Sequence, residues 1–222
     1  AERSEKDLAH PMLGDVVPMK PKRTLVLGAN GQLGRALRGV LRDADFADRS
    51  RVDLASSDPF SNVRCADYDT IVNAAAYTKV ENDEFAPLGV YGQTKAAGDA
   101  IVATVPRHYV LRTSWVIGDG ANFVGVMQSL AERGVSPKVV NDQVGRLSFT
   151  EDIAAGIAHL LRERPDFGTF NLTNDGSPMS WADIAKRVFE INGHDPSRVE
   201  GVTAAQYFAG KVASPRPQNS ML

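Results

Sequence analysis

Short apolar runs alternate with longer amphipathic stretches along this chain. Three β-branched, apolar runs have the length of buried parallel strands: residues 24–28, 70–77 and 108–118. Five stretches repeat apolar residues at helical spacing: residues 31–43, 93–105, 123–134, 151–164 and 179–193. Ser180 is the expected N-cap of the last helix and Gly193 its expected C-cap. This order predicts an α/β fold with a Rossmann-like, doubly wound parallel sheet.

A glycine-rich turn follows the first predicted strand. Residues 28–34 read GANGQLG, which places Gly28, Gly31 and Gly34 in a G-x-x-G-x-x-G spacing. Such a triplet alone is often an ordinary turn. Between a strand and a helix, however, Gly31 lets the backbone approach a ligand and Gly34 lets the helix pack on the strand. The N–H groups that open the helix can then bind a pyrophosphate, so the position predicts a nucleotide site.

Two charged residues about 20 positions beyond this turn bear on the choice of dinucleotide. Asp48 is the acid expected to bind the 2′-hydroxyl of NAD, whereas Arg49 can pair with the 2′-phosphate of NADP. We favour NADPH and leave NADH open. The alternative for Arg49 is a solvated surface charge.

The sequence YGQTK contains a second candidate constellation. Tyr91 and Lys95 stand at positions i and i+4 of a predicted helix and therefore project from one face. A lysine ammonium beside a phenol lowers the pKa of the phenol toward working pH, which makes it a proton donor to a carbonyl under reduction. The spacing is common by chance, but downstream of a dinucleotide site it predicts a catalytic pair.

Charge and composition exclude other classes of protein. The 25 Lys and Arg residues are balanced by 27 Asp and Glu, so no basic field favours nucleic acid or an anionic membrane. No apolar run reaches the roughly 18 residues of a membrane span. Cys65 is the single cysteine and cannot form an internal disulfide, and the start AERSEKDLAH lacks the apolar core of a secretory signal. We therefore expect a cytoplasmic protein.

Seven segments, in order over residues 23–222, resemble the extended short-chain dehydrogenase/reductase family and, within it, the dTDP-4-dehydrorhamnose reductases. They are GANGQLG, NAAAYTKV, PLGVYGQTKAAGD, RTSWVIG, NFVGVM, VVNDQVGRLSFTEDIA and RPQNS. RTSWV and NDQ-x-G are typical of these reductases rather than of the wider family. The resemblance implies reduction of the 4-keto group of dTDP-4-dehydro-L-rhamnose by NADPH, in nucleotide-sugar biosynthesis. It leaves magnesium, and any other metal, open.

The resemblance also implies roles for single residues. Tyr91 would be the acid, and Lys95 would tune it and hold the nicotinamide ribose. Trp115 and the stretch around Gln143 would face the sugar, with a core aromatic and a polar turn as the alternatives. Spacing and resemblance together predict these cofactor-binding residues: Gly28, Asn30, Gly31, Gln32, Leu33, Asp48, Arg49, Asp53, Leu54, Ala74, Ala75, Ala76, Tyr91 and Lys95. The predicted substrate-binding residues are Trp115, Asn122, Gln143 and Arg216.

The chain departs from the family pattern between Tyr77 and Tyr91. The family carries a helix, a strand and a catalytic Ser/Thr in this interval. Residues 78–90 cannot hold them, because a crossover between parallel strands alone needs about 10–12 residues. We infer that about 40 or more residues of the pattern are missing within Val80–Phe85, and we expect a physical break there. The catalytic Ser/Thr therefore cannot be named.

We expect three parts in the chain. Residues 1–20 resemble the end of a dTDP-4-dehydrorhamnose 3,5-epimerase, residues 21–118 form an NAD(P)-binding Rossmann domain, and residues 119–222 form mainly a substrate-binding lobe with elements that return to that domain. The first part indicates the reductase half of a fused epimerase–reductase, with a disordered extension as the alternative. The alternative functions are a non-catalytic nucleotide-binding regulatory subunit and a nucleotide-sugar epimerase or dehydratase.

Overall fold

The structure, a computed structural model, is described for residues 23–75, 89–210 and 216–222, and for the backbone alone at residues 89–91. The extension 1–20, Ala76 and the interval Val80–Phe85 therefore lie outside the described residues, as does the side chain of Tyr91.

A three-stranded parallel sheet is built from the first part of the described chain. Strand β1 (Arg23–Leu27) lies between β2 (Asp45–Ala47) and β3 (Tyr68–Asn73). Helix α1 (Gln32–Val40) connects β1 to β2. Leu25 in β1 is fully buried, because a central strand of a parallel sheet is covered on both faces.

The remaining strands of the described residues form two-stranded pairs. Three pairs are parallel: β4 (Tyr109–Arg112) with β9 (Gly168–Asn171), β5 (Val116–Ile117) with β8 (Ser148–Phe149), and β6 (Lys138–Val140) with β11 (Glu200–Val202). The pair β7 (Val144–Gly145) and β10 (Met179–Ser180) is antiparallel. Parallel pairing therefore predominates, as predicted for the α/β class.

All five predicted helices are present, with ends shifted by a few residues. After α1 they are α2 (Gly89–Ala103), α3 (Phe123–Glu132), α4 (Thr150–Glu163) and α5 (Trp181–Ile191). The short α6 (Ala204–Tyr207) follows them, and 3₁₀ turns lie before β3 at Cys65–Asp67 and after α5 at Pro196–Arg198. Ser180 caps α5 as predicted, because its hydroxyl accepts from the N–H of Asp183 at 3.1 Å. The C-cap prediction was wrong by one position: Asn192 is the C-cap, and Gly193 follows it at φ +75°.

The apolar run 108–118, predicted as one strand, contains two short strands. Strand β4 ends at Arg112 and β5 begins at Val116. Between them Trp115 adopts φ 45°, in the left-handed region. A residue in that conformation cannot continue a strand, so the prediction of a single strand was wrong.

The buried side chains form separate clusters, two of which bear on the expected division of the chain. One cluster joins β1 to α1 and α4 through Val26, Leu37, Ile153, Ala154 and Ile157. Another joins α3 to α5 through Met127, Ala131, Ala185, Val188 and Phe189. The packing of α4 on α1 agrees with the expectation that some elements of residues 119–222 return to the Rossmann domain. The division near residue 118 stays a prediction.

Helix α2 leaves much of its apolar surface uncovered. Ile101 is 69% exposed, and Ile71 on β3 is 46% exposed, although apolar residues of a doubly wound sheet normally lie under another layer.

Within the described ranges, neither α2 nor another helix is long and apolar enough to cross a bilayer.

Candidate active site

The turn after β1 lies against the backbone that follows β3. A Cβ atom at Gly28, which has φ +80°, would come within 2.7 Å of the nitrogen of Ala75 and 2.8 Å of the carbonyl carbon of Ala74. A Cβ atom at Gly34 would come within 2.2 Å of the carbonyl oxygen of Gly28. Both positions therefore require glycine, the first for its conformation and both for close packing.

The helix that follows this turn begins without a capping side chain. Gly31 is the N-cap of α1, and the first helical turn holds no acidic residue. The N–H groups of Gln32, Leu33 and Gly34 thus lack acceptors from the helix itself, and the helix dipole adds positive potential. This open N-terminus fits the pyrophosphate of a dinucleotide.

Two side chains of α1 tie the glycine turn to the loop between β5 and α3. Gln32 Nε2 donates to the carbonyl oxygen of Ala121 at 3.3 Å. The Arg35 guanidinium donates to the carbonyl oxygens of Asn30 and Asp119. Gln32 Oε1 is buried and accepts no hydrogen bond within the described residues. A buried acceptor without a donor is costly, so this oxygen fits a hydroxyl or amide donor of a bound dinucleotide.

Asp48 lies directly after β2, where the adenosine ribose of a dinucleotide is expected. Its Oδ1 accepts from the hydroxyl of Ser50 at 2.6 Å, and its Oδ2 accepts from Asn30 Nδ2 at 3.1 Å. The hydrogen bond from the Ser50 hydroxyl, with others from backbone N–H groups and Asn30, holds the pKa of Asp48 below its ordinary value. The carboxylate is therefore ionised at neutral pH and suits a ribose hydroxyl.

Arg49 is exposed beside this carboxylate. Its Nε donates to Asp53 Oδ2 at 3.2 Å, and the backbone N–H of Ala55 together with Arg49 lowers the pKa of Asp53. Because this contact uses Nε, the two terminal nitrogens of the guanidinium can serve a phosphate. Leu54 is 45% exposed at the same edge, where the resemblance implies the adenine.

Both members of the predicted catalytic pair belong to helix α2. Tyr91 and Lys95 are separated by one helical turn, and Lys95 is exposed. An ion pair between Asp99 of α2 and Arg112 of β4, at 3.2 Å, joins the helix to the sheet. The helix thus carries both residues as predicted, and their catalytic roles stay predictions.

Asn122, predicted to bind substrate, is the N-cap of α3. Its Oδ1 accepts from the N–H of Gly125 at 2.9 Å, and its Nδ2 donates to the carbonyl oxygens of Gly118 and Gly120 at 2.7 and 3.1 Å. The side chain therefore shapes the loop that Gln32 and Arg35 also hold.

Gln143, also predicted to bind substrate, lies beside a strand that contacts the C-terminal segment containing Arg216, the other predicted residue. Gln143 is only 6% exposed and directly precedes β7. The C-terminal segment that begins with the exposed Arg216 runs beside that strand, because the N–H of Val144 donates to Gln218 O at 2.8 Å. The fold therefore brings this segment to the strand that follows Gln143.

Trp115, the fourth predicted substrate residue, is half-buried and stacks on Trp181. Sequence reasoning missed Trp181, and it also missed the contacts of Arg35 and Ser50. The only sequence signal for Trp181 is the predicted N-cap Ser180, which places it at the start of a helix without connecting it to Trp115.

The site contains no obvious metal centre in the part of the chain that the structure describes. There, no three His, Cys, Asp or Glu side chains come together as ligands. The requirement for magnesium stays open, as it was from the sequence.

Comparison with known proteins places these features in a family. Residues 79–222 match the family model described as the RmlD substrate binding domain. A dTDP-4-dehydrorhamnose reductase of Mycolicibacterium smegmatis is 35% identical over 144 residues, which are 64% of this chain and 43% of that protein. The chain thus spans less than half the length of this relative.

Two further comparisons extend toward the N-terminus. A dTDP-4-dehydrorhamnose reductase of Sinorhizobium fredii is 31% identical over 266 residues, covering 90% of this chain and 88% of the relative. That stretch is longer than the 222 residues of this chain, so part of it has no counterpart here. The crystal structure of a Bacillus anthracis dTDP-4-dehydrorhamnose reductase in complex with NADP has a TM-score of 0.77 at 24% identity, covering 91% of this chain and 90% of that one, which confirms the Rossmann-like α/β fold. Since the family match alone covers nearly two thirds of its residues, the chain belongs to the dTDP-4-dehydrorhamnose reductase family.

Proposed function

We propose that this chain binds NADPH at the glycine turn and reduces the 4-keto group of dTDP-4-dehydro-L-rhamnose to give dTDP-L-rhamnose. The observation that carries the proposal is the open cradle at the start of α1. It combines glycines that admit no Cβ atom, an uncapped helix N-terminus and Gln32 Oε1, which accepts no hydrogen bond from any residue that the structure describes. The reductase relatives, one of them solved with NADP, indicate the reaction for such a cradle.

The cofactor would be held along the carboxyl ends of β1, β2 and β3. The N–H groups of Gln32 and Leu33 bind its pyrophosphate, and Asp48 and Arg49 bind the adenosine ribose and its phosphate. Ala74 and Ala75 line the path toward the nicotinamide, with Ala76 next to them in sequence. When bound, NADPH supplies the hydride.

Tyr91 and Lys95 complete the reduction in this proposal. Tyr91 donates its phenolic proton to the keto oxygen, which becomes the hydroxyl of the product. The Lys95 ammonium favours the resulting phenolate and holds the nicotinamide ribose. Trp115 and Gln143 border the sugar.

Removing the Arg49 guanidinium tests the choice of cofactor. We expect Arg49→Ala to weaken NADPH binding by about 10- to 100-fold and to leave NADH binding within about twofold, because only NADPH carries the 2′-phosphate. Calorimetric titration of both cofactors measures this. Arg42→Ala is the matched control, since Arg42 is an exposed arginine just beyond α1. Equal losses for NADPH and NADH would assign Arg49 a structural role.

A regulatory subunit that binds nucleotide without catalysis is the second candidate function. Part of the S. fredii reductase has no counterpart here, and we infer that this part includes the expected place of the catalytic Ser/Thr, which favours the regulatory candidate. The family match begins at residue 79, next to the expected break within Val80–Phe85. Exposed Ile71 and Ile101 are consistent with the loss of a covering layer.

One assay separates the two candidates. The chain is mixed with NADPH and dTDP-4-dehydro-L-rhamnose, and the nicotinamide absorbance is followed. The reductase proposal predicts that the absorbance falls in step with the formation of dTDP-L-rhamnose. Saturable NADPH binding without any fall would establish the regulatory candidate, and the absence of both binding and turnover would overturn both.

We further infer that the chain is the reductase half of a fused epimerase–reductase in the cytoplasm. The resemblance of residues 1–20 to the end of an epimerase supports the fusion, and the exposed free thiol of Cys65 suits a reducing compartment. An antibody against this chain should detect a polypeptide longer than the reductase alone in a cytosolic extract. A band of reductase length would contradict the fusion.

A further inference from the structure

The indole of Trp115 contacts two residues, Trp181 and Gly145. It stacks on Trp181, with ring centroids 3.9 Å apart and an angle of 18° between the planes. A Cβ atom at Gly145 would come within 2.7 Å of Trp115 Cε2 and 2.9 Å of Cδ2. Those two atoms form the fused bond of the indole, so Gly145 packs against the ring system itself.

The pairing of β7 with β10 places the start of α5 near Gly145. Gly145 on β7 pairs with Met179 on β10, and Trp181 follows two residues later as the first residue of α5. Phe123, the first residue of α3, contacts the Trp181 ring edge-on, with centroids 4.6 Å apart. Trp181 is therefore held by the β7–β10 pairing that precedes it and by Phe123 of α3.

The backbone conformation of Trp115 indicates that this residue belongs to a functional site. Its φ of 45° is unfavourable for a bulky residue and persists only where the surroundings hold it. Such conformations concentrate at binding and catalytic sites. The carbonyl of Trp115 accepts from the N–H of Ser148 at 3.1 Å, which fixes the main chain on the side of β8.

We propose that Trp181 and Gly145 are positioning residues for the nucleotide sugar: by packing against Trp115 they hold it in its left-handed conformation, so that its indole borders the sugar. The proposal rests on the proposed function, because it takes a dTDP-sugar as the ligand. Neither residue touches the ligand itself in this arrangement.

Kinetics of variants test this positioning role. We expect Trp181→Leu and Gly145→Ala each to raise the KM for dTDP-4-dehydro-L-rhamnose about tenfold or more, with the dissociation constant of NADPH within twofold of the parent. Trp181→Phe, which keeps an aromatic ring, should have a KM close to that of the parent. The control is Phe189→Leu, which disturbs the same buried cluster about two helical turns beyond Trp181 on α5 and should lower the melting temperature with little change in KM. Equal changes in KM for Phe189→Leu and Trp181→Leu would overturn the proposal.

Fluorescence gives a readout that does not depend on turnover. Trp115 and Trp181 are the only two tryptophans of the chain, so Trp181→Phe leaves Trp115 as the sole indole. Titration of this variant with dTDP-L-rhamnose should change its tryptophan emission saturably, with the same midpoint as binding measured by calorimetry. If calorimetry shows binding while the emission stays constant, the positioning role is wrong and the proposed ligand stands. If calorimetry shows no binding to the parent chain, the proposed function fails together with the positioning role.

Discussion

Replacing Tyr91 with phenylalanine is expected to lower kcat for the keto sugar by about 10²- to 10⁴-fold. The substitution removes the phenolic hydroxyl, the proposed proton donor, and general acid catalysis is typically worth that factor. The aromatic ring remains on helix α2, so the dissociation constant of NADPH should stay within about twofold. Steady-state turnover and a separate NADPH titration check the two parts of this prediction.

Tyr109→Phe is the matched control for this change. It removes a phenolic hydroxyl at the amino end of β4, where the hydroxyl donates to Pro165 O at 2.7 Å, whereas ligands of open α/β sheets bind at the carboxyl ends of the strands. We expect a stability loss of about 1 kcal/mol and unchanged turnover. Turnover of Tyr91→Phe within threefold of the parent would exclude Tyr91 as the acid.

Adding one methyl group at Gly34 is expected to weaken NADPH binding and to destabilise the protein. A Cβ atom there would come within 2.2 Å of Gly28 O and 2.9 Å of the carbonyl carbon of Ala29, so the glycine turn must move away from α1. Overpacking of this kind costs about 1–3 kcal/mol or more, and the displaced N–H groups no longer converge on the pyrophosphate. We expect Gly34→Ala to raise the NADPH dissociation constant about tenfold or more and to lower the melting temperature.

The same helix provides a control that changes the sign of the effect. Gly39 also lies in α1, but a Cβ atom there meets nothing within 4 Å. Gly39→Ala should therefore stabilise the protein by about 0.5–1 kcal/mol and leave NADPH binding unchanged. If Gly34→Ala binds NADPH as tightly as Gly39→Ala does, the glycine turn is not the cofactor site.

Local rules carried the sequence-based predictions that succeeded. The spacing of Gly28, Gly31 and Gly34 is a property of consecutive residues, as are helical periodicity and the N-cap at Ser180. Each describes backbone conformation or hydrogen bonds within a few positions, so neighbouring residues determine it. The α/β class followed from the order of these elements.

The features that sequence reasoning missed depend on tertiary contacts. The apolar run 108–118 satisfied the pattern of one strand, and nothing within it indicated that Trp115 would turn to φ 45° and stack on Trp181. The contacts of Arg35 to Asn30 and Asp119 likewise join loops that are far apart along the chain. The roles of Tyr91 and Lys95 rest on their i, i+4 spacing downstream of the glycine turn and on the family resemblance, and they stay predictions.

Transfer of deuterium tests the central claim most directly. The chain is incubated with NADPH that carries deuterium at C4 of the dihydronicotinamide, separately on each face, and with dTDP-4-dehydro-L-rhamnose. The account predicts dTDP-L-rhamnose with one deuterium at C4 of the sugar from one labelled face only, detected by mass spectrometry and proton NMR. Tyr91→Phe should form the same product far more slowly. Recovery of unreduced keto sugar from a protein that has bound NADPH would contradict the account.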